Sequence, residues 1–179
     1  VDHDRLTDAQ LASAAGWLRD YHRAVDDFRP DGPLRWRFDT VAVEPGQLIC
    51  HNDFATYNLA FDGDRLAGVF DWDVSGPGNA LDDLAFFAWN SLPLFRDVEP
   101  IDAARRLRLL AHSYGDASAT DILNAVVERM TTATDRIAQG QLDGDEGMLN
   151  LGKAGEPART RGRLDRLKAV VPLIATELG

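Results

Sequence analysis

Residues 49–85 read I-C-H-N-D-F-A-T-Y-N-L-A-F-D-G-D-R-L-A-G-V-F-D-W-D-V-S-G-P-G-N-A-L-D-D-L-A, and the fold turns on how the middle of this stretch doubles back. Leu59 to Phe61 and Leu66 to Phe70 are strand-like runs. Asp62-Gly63-Asp64 between them carries turn chemistry, so the segment predicts a β-hairpin. With a two-residue loop, Asn58 lands opposite a residue near Ala67 or Val69, and Asp71 comes close to it in space though distant in sequence. Ahead of the hairpin stands an H-x-D-x-x-x-x-N run formed by His51, Asp53 and Asn58. Behind it stands Asp71-Trp72-Asp73.

The hairpin gathers oxygen ligands: the Asn58 amide oxygen and the carboxylates of Asp71 and Asp53. Carboxylates so close raise one another's pKa unless a cation sits between them. Hard oxygen donors with at most one His nearby suit Mg²⁺ rather than zinc. A magnesium site with few protein ligands completes its shell with water and phosphate oxygens. That is the layout of a phosphoryl-transfer site, in which one Asp meets the acceptor hydroxyl while an Asn and a second Asp hold metal and nucleotide. Asp73 reads equally as a third carboxylate of the metal shell, or a substrate contact, and as a cap for the following loop.

These residues resemble the catalytic core of the aminoglycoside phosphotransferase and choline kinase-like families, relatives of the protein kinases. The likeness lies in His51 to Asn58, the hairpin, Phe70-Asp71-Trp72, the Gly/Pro loop Ser75 to Asn79, and Asp83-Leu84-Ala85. The resemblance implies a mainly α chain with a small β-hairpin, the C-terminal lobe of a protein kinase-like fold. It implies transfer of a γ-phosphate from ATP or GTP, with Mg²⁺, to a hydroxyl of a small, possibly cationic molecule, with antibiotic resistance as a consequence. Asp53 would position the hydroxyl, Asn58 and Asp71 would bind metal and nucleotide, and His51 and Asp83 would support the loop. Carboxylates late in such chains bind cationic acceptors, which nominates Asp143, Asp145, Glu146 and Glu156. A solvated acidic loop is the competing reading of those four.

A kinase of this type also needs a lysine on a strand of an N-terminal sheet lobe. Lys153 and Lys168 are the only lysines, and neither precedes His51. The expectation is therefore one helical lobe over 1–179 without the sheet lobe, slow or inactive alone. Its parts would be a leading helix at 7–26, the catalytic segment at 48–85 and a helical subdomain at 80–179. The alternatives are a non-catalytic nucleotide- or ligand-binding module, half of an enzyme completed by another chain, or a metal-dependent phosphohydrolase. An apolar face left open by the absent lobe would favour self-association.

The composition fits a globular protein: 179 residues, 45% hydrophobic and 27% charged. No apolar run reaches membrane-spanning length and no leader pattern opens the chain, so the expectation is a cytoplasmic protein with no membrane partner. Cys50, the single cysteine, excludes an internal disulfide and reads as a small buried residue. A net charge of −10 argues against nucleic acid as partner.

Along the chain, Thr7 with Gln10 forms a capping-box pattern for the leading helix, with His22 on one of its faces. Residues 29–47 read as an ordered loop whose Trp36 and Phe38 pack on the body or line a pocket. Asp83 caps a buried helix from about Ala80 to Pro93. Pro100 opens a helix ended by Gly115, with His112 at its rim. Ser118 and Asp121 open another that runs to Gly140. Pro157 starts a last helix that Pro172 should kink or break. Gly147 to Ala154 nearly spells a P-loop, but Ala154 lacks the hydroxyl and no strand precedes it.

Overall fold

Thr7 and Gln10 bond reciprocally: the Thr7 hydroxyl accepts from the Gln10 backbone N–H and the Gln10 side chain accepts from the Thr7 N–H, each at 3.0 Å. The computed structural model describes residues 6–95 and 99–179. The expected lobe over 1–179 also takes in residues 1–5 and 96–98, which lie outside the described residues. Helix α1 (Asp8–Ala24) buries Leu11, Ala14, Ala15, Leu18 and His22, one face at helical spacing.

The hairpin forms as β4 (Leu59–Asp62) and β5 (Arg65–Val69), antiparallel, with Gly63 at φ 59° in the turn. A bulge at Ala60/Phe61 shifts the register, so Leu59 faces Val69. The Phe70 N–H then donates to the Asn58 carbonyl at 2.9 Å. Asn58 therefore meets Phe70 rather than Val69, one residue nearer Asp71 than a regular ladder would place it. The turn is pinned to the start of α1: Gln10 Nε2 donates to the Gly63 carbonyl at 3.0 Å and the Thr7 hydroxyl to Asp64 at 2.9 Å.

Two further ladders flank this one. In the segment expected as loop, β1 (Leu34–Arg35) pairs with β2 (Thr40–Val41). The Gly/Pro segment is itself a strand: β6 (Gly76–Gly78) pairs antiparallel with β3 (Leu48–Cys50). A Cβ on Gly78 would lie 3.0 Å from Cys50 Sγ and 2.9 Å from Asp82 Oδ2, so glycine is what lets the two strands approach.

Helices α2 (Ala80–Ser91), α3 (Pro100–Tyr114), α4 (Ala119–Leu142), α5 (Glu146–Lys153) and α6 (Ala158–Leu178) complete the described chain, which is mainly α with small antiparallel pairs. Helix α2 packs on α4, α1 on α3, and α6 on both α3 and α4. Between them lies one apolar cluster that includes Leu18, Phe54, Phe87, Leu107, Met130 and Leu167. Gly115, at φ 103°, ends α3, and Ser118 caps α4 as its spacing predicts. Helix α6 runs through Pro172 rather than ending there, with Ile174 beyond it still buried. The near P-loop is helical: Gly147 to Lys153 belong to α5, with the Met148 N–H taken by the Asp145 side chain, so the segment does not form a phosphate-cradling loop. Among the described residues no helix is long and apolar enough to cross a membrane.

Candidate active site

The loop after β3 is held from beneath by Asp83. The expected helix cap is another residue: Asn79 caps α2, with Asp82 completing the reciprocal pair. That leaves Asp83, fully buried, to take the N–H of His51 at 2.8 Å and of Asn52 at 2.7 Å. Its Oδ2 also meets Nε2 of buried His22 at 3.0 Å, and His22 Nδ1 meets the Tyr114 hydroxyl at 2.9 Å. A buried carboxylate persists where several donors surround it. Here one group ties α1, α2, α3 and the loop together.

Asn52 holds a left-handed backbone, φ 65°, and its carbonyl accepts from Arg129 Nη2 of α4 at 2.9 Å. His51 Nδ1 accepts the Asp53 N–H at 3.2 Å, which assigns the ring proton to Nε2, and Nε2 donates to the Phe70 carbonyl at 2.9 Å. His51 thus joins this loop to the end of the hairpin. The Trp72 ring lies against it, centroids 4.5 Å apart.

At the loop's outer end Asp53 Oδ1 accepts from the Tyr57 hydroxyl at 2.7 Å and Oδ2 from Asn58 Nδ2 at 2.8 Å. Asn58 Nδ2 also donates to the Asp53 carbonyl at 3.0 Å. Both amide hydrogens of Asn58 are therefore committed, and its Oδ1 is the atom left for a cation. Burial pushes the Asp53 carboxyl above its ordinary value; Tyr57, Asn58 and His51 oppose that rise, and the Asp71 charge adds to it. Asp71 is exposed and left-handed at φ 62°, a conformation costly for any residue with a Cβ. The structure so brings Asp53, Asn58 and Asp71 to one place. Tyr57 was not singled out from the sequence, where no motif position falls on it; its hydroxyl is nonetheless a direct partner of Asp53.

The donor set fits magnesium: an amide oxygen and carboxylates, with both His51 nitrogens already hydrogen-bonded. Asp73 is exposed on the turn before β6. Among the described residues, the group whose potential ligand atoms converge is His22, Cys50 and Asp83, all buried. Cys50 Sγ donates to the Asn79 carbonyl at 3.2 Å, and burial pushes its thiol pKa far up. With His22 and Asp83 hydrogen-bonded as above, this trio is a structural knot.

The late acidic residues serve helix ends. Asp145 caps α5 through the Met148 N–H and pairs with Arg37 at 3.0 Å, contacts that hold its carboxyl below the usual range. Asp143 accepts from Gln139 Nε2 at 2.9 Å and Glu156 from the Thr160 N–H at 3.0 Å, while Glu146 sits in the first turn of α5. Asp143 and Asp145 line an open cleft of about 680 Å³; Glu146 and Glu156 do not. Phe38 lines this cleft. With Trp36 it also borders an adjoining cavity of about 320 Å³ that reaches Asn52, so both aromatics face a cavity and neither joins the core.

The sequence model of the Phosphotransferase enzyme family matches residues 2–116, a span that holds α1, the Asp53 loop, the hairpin, α2 and α3. The trifolitoxin immunity protein of Rhizobium leguminosarum bv. trifolii is 31% identical over 108 residues, which are 55% of this chain and 41% of that protein. The chain thus spans about two fifths of the length of the curated relative it matches. No solved structure matches it. With more than half of its length matched, and the H-x-D-x-x-x-x-N loop and the following Asp at one site, this chain belongs to the phosphotransferase enzyme family.

Proposed function

We propose that this protein transfers the γ-phosphoryl group of ATP or GTP to a hydroxyl of a small molecule, with Asp53 at the reacting hydroxyl. The observation that carries this reading is the bonding of Asp53 to Asn58, at 2.8 Å, on the hairpin that ends in Asp71.

Asp53 is the proton-accepting or orienting group. A carboxyl lifted above its ordinary value by burial is a better base than a free one, and it accepts a hydroxyl hydrogen without leaving the half-buried loop. Tyr57 and Asn58 hold its two oxygens, so a hydroxyl approaching it meets a fixed acceptor. Asn58 Oδ1 and the Asp71 carboxylate would hold Mg²⁺, which supplies positive charge against the phosphate oxygens. His51, through the Phe70 carbonyl, fixes the hairpin end from which Asp71 projects. Of the acidic residues that suggested a cationic acceptor, Asp145 is already neutralised by Arg37.

The test is calorimetric titration with Mg–ATP and Mg–GTP, beside phosphate transfer to a panel of hydroxyl compounds. The proposal expects nucleotide binding only with Mg²⁺ present, and any transfer abolished by Asp53→Ala. Transfer that persists in Asp53→Ala, or no heat with either nucleotide, contradicts it.

A further inference from the structure

We propose that the acceptor carries an anionic group, a phosphate or a carboxylate, bound by Arg136 and Arg129 in the cavity beside the catalytic loop. This rests on the phosphotransferase reading and names its substrate class.

Arg129 and Arg136 are seven residues apart on α4, two turns, so they share a face. Both line the 320 Å³ cavity, whose wall also includes Asn52, the residue before Asp53. Arg129 donates to the Asn52 carbonyl, one residue from Asp53, while its Nε is buried without a partner. Arg136 lies over the Phe38 ring, 4.8 Å from its centroid. Among the described residues neither guanidinium forms an ion pair.

Two carboxylates also border the cavity, and both already serve the backbone. Asp82 accepts the Asn79 N–H at 2.8 Å and Asp39 the Thr40 N–H at 2.7 Å. Burial and the neighbouring charge of Arg129 lower the Arg136 pKa, and the charge of Asp82 opposes that fall without cancelling it. Two like charges on one helix face, Arg129 partly buried and Arg136 exposed at the cavity's edge, repel unless an anion joins them, and the guanidinium fork matches phosphate and carboxylate oxygens. In a chain of net charge −10 such a pair lining one cavity is the reverse of what overall charge suggests. An acceptor with its anion on Arg136 and Arg129 would extend its hydroxyl past Asn52 toward Asp53.

The experiment titrates the chain with glycerol 3-phosphate, glycerate and ethanolamine, each a small hydroxyl compound, and separately with Mg–ATP. The expected result is that one or both anions bind more tightly than ethanolamine. Arg136→Gln should weaken that binding roughly tenfold with its circular dichroism unchanged, and Arg136→Lys should restore part of it. Glycerol 3-phosphate and glycerate tell a phosphate preference from a carboxylate one. Ethanolamine binding as tightly, anion binding unmoved by Arg136→Gln, or displacement of the anion by Mg–ATP would overturn the proposal. Anion binding lost in Arg136→Gln, in a protein that takes no Mg–ATP, supports the anion site and contradicts the phosphotransferase reading. Mg–ATP binding without anion binding overturns the anion site alone.

Discussion

His22 Nε2 stands 3.0 Å from Asp83 Oδ2, with both side chains buried. The pair joins the end of α1 to the start of α2, and the same Asp83 carboxylate holds the His51 and Asn52 N–H groups. Removing the imidazole leaves a buried carboxylate short of one donor and the Tyr114 hydroxyl without its partner. We expect His22→Ala to lower stability by about 3 kcal/mol, measured by urea unfolding. A loss below about 1 kcal/mol, the size of an exposed pair, would show that the contact is incidental.

Asp53 gives a pH dependence of known sign. Its folded carboxyl titrates above the ordinary value, burial being the main cause, so between the two values the folded state binds more protons than the unfolded. Stability from this group is present at low pH and is lost as pH rises from the ordinary carboxylate range through the raised value. The Tyr57 hydroxyl opposes the rise, so Tyr57→Phe should move the Asp53 titration further upward. Carboxyl-carbon NMR across the acidic range reads this directly. An unchanged or lowered midpoint would remove Tyr57 from the site.

Gly63 takes φ 59° at the hairpin turn, where a Cβ meets no neighbour but the backbone itself resists. Gly63→Ala should cost about 1 kcal/mol, and Gly63→Asn less, because Asn tolerates this region. Equal stability for the two variants would mean the turn relaxes into another shape. The comparison needs only thermal or urea melts.

Pro172 lies exposed inside α6, where its ring removes one hydrogen-bond donor. Pro172→Ala should stabilise the protein by about 2 to 3 kcal/mol, read from the shift of the urea midpoint at constant slope. A destabilised variant would mean that the ring's shape is needed against the neighbouring helices.

Much of this was legible in residue order, where cause and effect are near in sequence. The Thr7–Gln10 box, the Gly63 turn, the Gly115 stop and the Ser118 cap act within a few residues, and local chemistry decides them. The bulge at Ala60/Phe61 went unread although Gly68, opposite Ala60 inside a strand, is the residue type that marks such a site; the bulge sets Asn58 against Phe70. His22 was read as one more residue on a helix face. Its spacing matches Leu18, and its partner lies 61 positions away. Assigning the α2 cap to Asp83 passed over Asn79-x-x-Asp82, a pattern of the same kind as Thr7-x-x-Gln10. The ladder of Gly76–Gly78 escaped notice because Gly and Pro signal turns, and only the close approach to Cys50 explains them in a strand. Arg129 and Arg136 gave no signal, since arginines on a long amphipathic helix are ordinarily solvated.

The central claim is that Asn58 and Asp71 meet across the hairpin to hold a magnesium–nucleotide. Asp71→Asn tests it most directly, because Asn keeps the shape and tolerates φ 62° while removing the charge. Calorimetric titration with Mg–ATP should show binding in the unchanged protein and its loss in Asp71→Asn, with unfolding midpoints the same within error. Equal Mg–ATP affinity in the two proteins would contradict the account.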